Sequence, residues 1–153
     1  MTAGEPVGPQ IARYNASQAE RAVPEWRATL DALQAQPGLD SPVGIWGLSM
    51  GSATGVPLDA AEPRITAAVF GLAGHETLAE AAAQVTIPVE FLLPWNDPEI
   101  DRYSGLALFD AFASRDKTLH AFPGSHFHVP TERIDTRFFQ RQLGGGPPTN
   151  DPR

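Results

Sequence analysis

Four short apolar segments, separated by helix-like segments, constrain the fold of this 153-residue chain more than any other feature. They are rich in Val, Ile, Leu, Phe and Ala and are bounded by turn residues, which is typical of buried strands. They span residues 43–48, 67–72, 89–93 and 118–122. Strands that alternate with helices are joined by crossovers. The sequence therefore predicts an α/β fold: a mainly parallel sheet of about four strands with helices on both faces.

The helices are predicted from apolar periodicity and from their end signals. The first begins at a capping box, Ser17 to Glu20, and ends before Pro37, with a kink or restart expected at Pro24. Its inward residues are predicted to be Val23, Trp26, Leu30 and Leu33. The other helices are predicted from residue 50 onward and over residues 76–84, 106–113 and 131–143.

These elements predict one domain over residues 17–143. Residues 1–16 are expected to form an irregular leader, because Gly and Pro recur between Gly4 and Pro9. Residues 144–153, with the sequence GGGPPTNDPR, are expected to be a disordered tail.

Composition excludes several classes of function. The formal net charge is −7, and an acidic surface repels phosphate backbones, so nucleic acid is not an expected partner. The sequence contains no cysteine, which excludes disulfides, thiolate catalysis and cysteine metal sites. The N-terminal residues lack a signal-peptide pattern, and no apolar run approaches the length of about 20 residues that spans a bilayer. We therefore expect a cytoplasmic protein with no membrane partner.

A G-x-S-x-G motif follows the first predicted strand, with the sequence GLSMG at residues 47–51. A serine between a buried strand and a helix is typical of a nucleophile elbow, in which a sharp turn holds the hydroxyl clear of the sheet. We expect side chains at Gly47 and Gly51 to collide across this turn. The motif predicts Ser49 as the nucleophile and the Met50 amide as a donor to the oxyanion.

A serine needs a base and an acid, and both candidates follow later strands. His126 and His128 come after the fourth strand, and His126 is the preferred base. Asp97 comes after the third strand and is the preferred acid, with Glu99 and Asp101 as nearby alternatives. The carboxyl ends of parallel strands share one edge of a sheet, so Ser49, Asp97 and His126 are predicted to meet there.

Trp95 and His75 also follow strands at this edge and are the candidate substrate-binding residues. No metal site is predicted: the sequence has no H-E-x-x-H motif, and His126 and His128 point to opposite sides if extended. No nucleotide-binding motif is present either, so no cofactor is expected.

Residues 17–143 resemble the C-terminal, catalytic part of α/β-hydrolases of the dienelactone-hydrolase-like esterase group. The resemblance depends on GLSMG at 47–51, on IPVEFLL at 87–93 leading to Asp97, and on KTL at 117–119 leading to PGSH at 123–126. It implies a shortened α/β-hydrolase fold and a serine esterase that cleaves a small-molecule ester. It also implies Ser49 as nucleophile, Asp97 as acid, His126 as base and the Met50 amide in the oxyanion hole.

The sequence departs from this group in two ways. It lacks the glycine-rich segment before the elbow that supplies a second oxyanion amide, and it has serine where dienelactone hydrolases tend to have cysteine. An alternative function is therefore a weak or silent hydrolase fragment that acts as a binding module. The strand at residues 43–48 also lacks predicted neighbours on one side. Since a bare strand edge pairs readily with another chain, we expect a homodimer.

Overall fold

The computed structural model describes residues 7–39, 41–130 and 137–144, with side chains from Gln10 onward. Helices and strands alternate along these residues, as predicted. The helices are α1 (Val7–Gln34), α2 (Met50–Ala61), α3 (Ala79–Ala82), α4 (Arg102–Ala111) and α5 (Phe138–Leu143). The strands are β1 (Val43–Trp46), β2 (Ile65–Gly71), β3 (Val89–Pro94) and β4 (Lys117–Phe122).

The four strands form one parallel sheet in the order β1-β2-β3-β4, which confirms the predicted fold class. Each strand pairs with the next in the chain, so all four carboxyl ends lie at the same edge of the sheet. Trp46 pairs with Val69, Gly71 with Leu92, and Pro94 with Phe122. This register brings the loops after the strands together.

A hydrophobic core covers each face of the sheet. On one face, Phe70 and Phe91 pack with Phe112 beneath α2, α3 and α4. Burying an aromatic side chain of this kind contributes roughly 1.5–3 kcal/mol. On the other face, Val69 and Leu92 pack against Phe138 of α5. The prediction of helices on both faces is confirmed.

Helix α1 differs from its prediction at its start and in its inward face. It begins at Val7 instead of Ser17, so the irregular leader predicted for residues 1–16 is wrong from residue 7 onward. Ser17 lies inside the helix, where its hydroxyl donates to the Tyr14 carbonyl at 2.7 Å instead of capping an N-terminus. Leu30 is buried as predicted, whereas Trp26 and Leu33 are about half exposed.

Ion pairs anchor the C-terminal half of α1 to the end of α2. The buried Glu62 carboxylate accepts from Arg64 Nε at 2.6 Å and lies 3.4 Å from Arg27 Nε on α1. Arg64 also donates to Asp31 of α1 at 2.7 Å. The Arg64 guanidinium lowers the pKa of Glu62 to about 2, so this network stays ionised at neutral pH.

The remaining boundaries shift for local reasons. Helix α4 begins at Arg102, earlier than predicted, because the Asp101 carboxylate caps it by accepting from the amides of Tyr103 and Ser104. Helix α3 is shorter than the predicted segment 76–84. Residues 131–136 of the last predicted helix and 145–153 of the predicted tail lie outside the described residues. Within the described ranges, no helix has both the length and the apolar character needed to cross a bilayer.

Candidate active site

Ser49 lies in the sharp turn between β1 and α2, at the carboxyl edge of the sheet. Its φ of 55° and ψ of −115° are strained values for a residue with a side chain, and such a conformation costs on the order of 1–3 kcal/mol. The backbone amide of Ser49 donates to the Gly71 carbonyl at 2.9 Å, which extends the β1–β2 ladder up to the turn. The sheet therefore holds the strained residue in place.

The space around the motif requires glycine at only one of its two glycine positions. A Cβ at Gly47 would lie 2.6 Å from the Gly51 carbonyl carbon and closer still to its oxygen, so this position excludes any side chain. A Cβ at Gly51 would meet no atom within 4 Å. The expectation that both glycines avoid a collision is therefore wrong for Gly51.

Ser52 fastens the turn to the neighbouring strand and was not identified from the sequence. Its side chain is fully buried, and its hydroxyl lies 2.7 Å from the carbonyl oxygens of both Gly47 and Gly71. The same hydroxyl accepts from the Gly71 amide at 2.9 Å. Sequence gives no signal for this role beyond the position of Ser52 one turn after the nucleophile candidate.

The three residues predicted to meet form a continuous hydrogen-bonded chain. His126 Nε2 lies 2.7 Å from Ser49 Oγ, and His126 Nδ1 lies 2.9 Å from Asp97 Oδ2. An ionised carboxylate only accepts, so Nδ1 holds the proton and Nε2 is free to accept from the Ser49 hydroxyl. The Asp97 side chain is 1% exposed and the His126 side chain 11%, so both are shielded from water.

Two loops fix the acid and the base relative to each other. Asp97 Oδ1 accepts from the Glu99 amide at 2.9 Å, which orients the carboxylate. The Asn96 amide donates to the Gly124 carbonyl at 3.3 Å, which joins the loop after β3 to the loop after β4. Gly124 has a φ of 152°, and a Cβ there would lie 2.9 Å from the His128 carbonyl oxygen. The turn that presents His126 therefore requires glycine.

The alternative base and acids have other partners. His128 Nδ1 lies 3.1 Å from Ser125 Oγ in an exposed position. Asp101 caps α4, and Glu99 is exposed. Among the candidate side chains in the described residues, those of Ser49, His126 and Asp97 alone are joined to one another by hydrogen bonds.

The Met50 amide stands at the start of α2, directly after Ser49. The first amides of a helix have no acceptor within the helix, and their partial positive charge favours an anion. Helix α2 has 12 residues, long enough for this dipole to develop. An oxygen that becomes negative beside Ser49 would lie near this amide.

A cleft of about 730 Å³ opens beside these residues. Its wall combines apolar side chains, carboxylates and the first turns of α1, and Ser49, Asp97 and His126 all reach it. Trp95 and His75, the predicted substrate-binding residues, are outside this wall: Trp95 stacks under the Arg102 guanidinium at 4.5 Å, and His75 Nδ1 contacts Ser104 Oγ at 3.2 Å. The other lining side chains are Ile11, Ala12, Asn15, Ala53, Leu72, Ala73, Glu76, Thr77, Leu78, Pro98, Glu99, Ile100, Asp101, Ser104 and Phe127.

The contribution of α1 to the cleft was not predicted, because residues 11–15 were expected to be irregular. Among the described residues, no group of three or more histidine, aspartate or glutamate side chains is arranged to hold a metal ion.

Solved structures of esterases and of a lipase are similar to this chain. No protein-family model matches the chain, and no curated protein matches it. Among solved structures, the zinc-bound form of a novel cold-adapted esterase from an Arctic intertidal metagenomic library is 38% identical, with a TM-score of 0.78. That match covers 82% of this chain and 59% of the esterase.

Two further solved structures are also similar to this chain. The native form of a novel cold-adapted esterase from an Arctic intertidal metagenomic library is 40% identical with a TM-score of 0.73, over 77% of this chain and 56% of that one. The monoacylglycerol lipase of Paleococcus ferrophilus is 15% identical with a TM-score of 0.57, over 71% and 66% of the two chains, and shows likeness of fold alone. The chain spans less than three fifths of the length of the two esterase structures. It has an α/β fold that matches the α/β-hydrolase structures of esterases and lipases.

Proposed function

We propose that this chain is a serine hydrolase that cleaves carboxylic esters, with Ser49 as nucleophile, His126 as base and Asp97 as the residue that orients the base. The main support is the unbroken hydrogen-bonded chain from Ser49 Oγ through the imidazole to the buried Asp97 carboxylate. The similarity to esterase structures supports the ester as substrate class. Assignment to the dienelactone-hydrolase-like group is part of this proposal and rests on the sequence motifs.

The proposed reaction proceeds through an acyl-enzyme. Ser49 Oγ forms a bond to the ester carbonyl carbon while its proton moves to His126 Nε2, and the carbonyl π electrons move to oxygen. The Met50 amide donates to that oxyanion. Collapse of the intermediate breaks the carbon–alkoxide bond, and His126 returns its proton to the leaving alkoxide. Water, activated by the same imidazole, then releases the acid. Asp97 stays ionised throughout and stabilises the imidazolium.

A silent binding module is the less favoured alternative. A module without catalytic function has no need of a strained serine in hydrogen-bonding distance of a buried His–Asp pair. Such strain is usually retained where function requires it.

The nucleophile is tested with a panel of p-nitrophenyl esters of increasing acyl length and a fluorophosphonate probe. We expect wild-type protein to hydrolyse the short esters and to be labelled, and Ser49→Ala to lose both. Equal labelling of both proteins would show that the nucleophile assignment is wrong.

The base and the acid are tested by substitution, with the same kind of substitution at a nearby residue as the control for each. His126→Ala and Asp97→Asn are each expected to lower kcat by roughly four orders of magnitude. Loss of one of the three catalytic side chains removes most of the rate acceleration that they provide together. His128→Ala and Glu99→Gln are the controls, and we expect both to retain most activity. A reversed result for either pair would move that role to the control residue.

We also propose that two copies of the chain associate through β1. Within the described residues, β1 is an edge strand, and its Trp46 side chain is 47% exposed. Unpaired strand edges are templates for pairing, and a two-fold axis would set the two β1 strands antiparallel. No charged residue lies in Val43–Trp46 to oppose this contact.

Light scattering at several concentrations tests the dimer. We expect a dimer for wild type and a monomer for Trp46→Glu. Trp26→Glu, on the exposed face of α1, is the control and should stay dimeric. A monomeric wild type, or a dimer lost only with Trp26→Glu, would contradict pairing through β1.

A further inference from the structure

The first turns of α1 reach the same cleft as Ser49 and His126. Ile11, Ala12 and Asn15 form part of its wall, together with Ala53 in the first turn of α2. Of the three α1 residues, only Asn15 has a polar side chain, so it is the group through which α1 can contribute chemistry.

The register between α1 and α2 sets Asn15 beside the start of α2. The N-terminal turns of both helices line the cleft, and the Arg27–Glu62 ion pair at 3.4 Å joins a later turn of α1 to the residue that follows α2, so the two helices run in the same direction. Asn15 precedes Arg27 by as many residues as Met50 precedes Glu62, a rise of about 18 Å along each helix. Asn15 therefore stands at the height of Met50, where the oxyanion of the proposed reaction would form.

The side chain of Asn15 is on the inner stripe of α1. Ala19, one turn later on the same face, is 4% exposed, and Leu30 continues the stripe. At this position an apolar residue would ordinarily face α2. Asn15 is half-buried instead, and in the described part of the chain its amide makes no hydrogen bond to protein.

Few groups in the cleft can donate a hydrogen bond. Glu76, Glu99 and Asp101 are carboxylates, which accept only. The Ser104 hydroxyl already donates to Glu76 Oε1 at 2.7 Å. Asn15 Nδ2 has two N–H groups and makes no hydrogen bond within the described residues, and Thr77 is the other free side-chain donor of the wall.

We propose that the Asn15 side-chain amide is the second oxyanion donor, opposite the Met50 amide. This assignment rests on the proposed function. As the Ser49 Oγ–carbon bond forms, the electron pair of the carbonyl moves to oxygen and the Ser49 proton moves to His126. Asn15 Nδ2–H donates a hydrogen bond to that oxygen and gives up no proton. The donor comes from helix α1, which precedes the elbow in the chain.

The experiment compares Asn15→Ala and Asn15→Asp with wild type on a short p-nitrophenyl ester. Asp keeps the shape of Asn but donates nothing, and its charge opposes the oxyanion. We expect kcat to fall by roughly 10²–10³ in the Ala variant, the usual loss for one such donor, and further in the Asp variant, with KM little changed. Inhibition by an alkyl boronic acid, which forms a tetrahedral adduct, should weaken in parallel.

Two control variants separate this role from a structural one. Ser17→Ala removes an exposed hydroxyl of the same helix outside the cleft and should leave kcat unchanged. Thr77→Val removes the other free donor of the wall, and a large loss of kcat there instead of in Asn15→Ala would assign the role to Thr77. Unchanged circular dichroism and thermal midpoint in Asn15→Ala would show that the fold is intact.

The proposal is overturned if Asn15→Ala keeps the wild-type kcat and boronic acid affinity, if only KM rises, or if Thr77→Val shows the large loss instead. Ser49→Ala distinguishes the two levels of inference. If Ser49→Ala abolishes activity and Asn15→Ala does not change it, the donor assignment alone fails. If Ser49→Ala is fully active, the proposed function fails.

Discussion

At the scale of single residues, Asp59 is a buried carboxyl group whose charge is costly in the folded protein. It lies on α2, is 8% exposed, and its Oδ2 has no hydrogen-bond partner in the described residues. Burial raises the pKa of Asp59 from 3.8 to about 7. The folded protein therefore keeps this proton at pH values where the unfolded chain has released it. The contribution of Asp59 to the free energy of unfolding is therefore most favourable below about pH 4. It decreases as the pH rises to about 7 and does not change further above that pH.

Replacing Asp59 by Asn removes this charge and keeps the shape. We expect Asp59→Asn to match wild type near pH 4 and to be more stable above pH 7, by up to about 4 kcal/mol, because a difference of one in pKa between the folded and unfolded states corresponds to about 1.4 kcal/mol. Thermal unfolding across this pH range measures the difference. Asp110→Asn, on the exposed side of α4, is the control and should show no pH-dependent gain. A gain for Asp59→Asn that is the same at pH 4 and pH 8 would refute the explanation.

The sequence indicated Ser49, Asp97 and His126 because each follows a strand at the same sheet edge. It did not indicate Asp59, Ser52 or Asn15. Their roles depend on which helix face meets which neighbour, and one sequence without its tertiary contacts does not contain that information.

At the scale of elements, the strand boundaries were predicted to within two residues, since short apolar segments between turns usually form buried strands. The start of α1 was predicted ten residues too late. Pro9 and Gly8 suggested an irregular segment, but a proline in the first turn of a helix loses no hydrogen bond. The capping box at Ser17 was a false start signal because the same residues also fit a helix interior.

The turn between β1 and α2 allows a test with two glycines. Gly47→Ala is expected to destabilise the protein by about 1–3 kcal/mol and to slow fluorophosphonate labelling, because its Cβ meets the backbone of Gly51. Gly51→Ala meets no atom and replaces glycine within a helix, so it should be neutral or stabilising by up to about 1 kcal/mol. Thermal unfolding and labelling rates measure both. Equal losses in the two variants would mean that the turn requires both glycines.

At the scale of the whole molecule, the parallel sheet was predictable from the alternation of helices and strands, although the order of its strands was not. The cleft was not predictable either. Its wall includes α1, whose position depends on the contacts of Arg27 and Asp31 with the end of α2. Neither ion pair has a signature in the sequence.

The carboxylates of the cleft have a consequence for the departure of the product. Glu76 and Glu99 line the wall, and none of the described lining residues is Lys or Arg. An ester enters uncharged, but the acid formed from it is an anion, which like charges repel. We expect butanoate to inhibit more weakly than its neutral analogue butanamide, and Glu99→Gln to narrow the gap between their inhibition constants. Equal inhibition by the two compounds in wild type would contradict this. Weak binding of the acid means that product inhibits little as it accumulates, so hydrolysis keeps its rate late in the reaction.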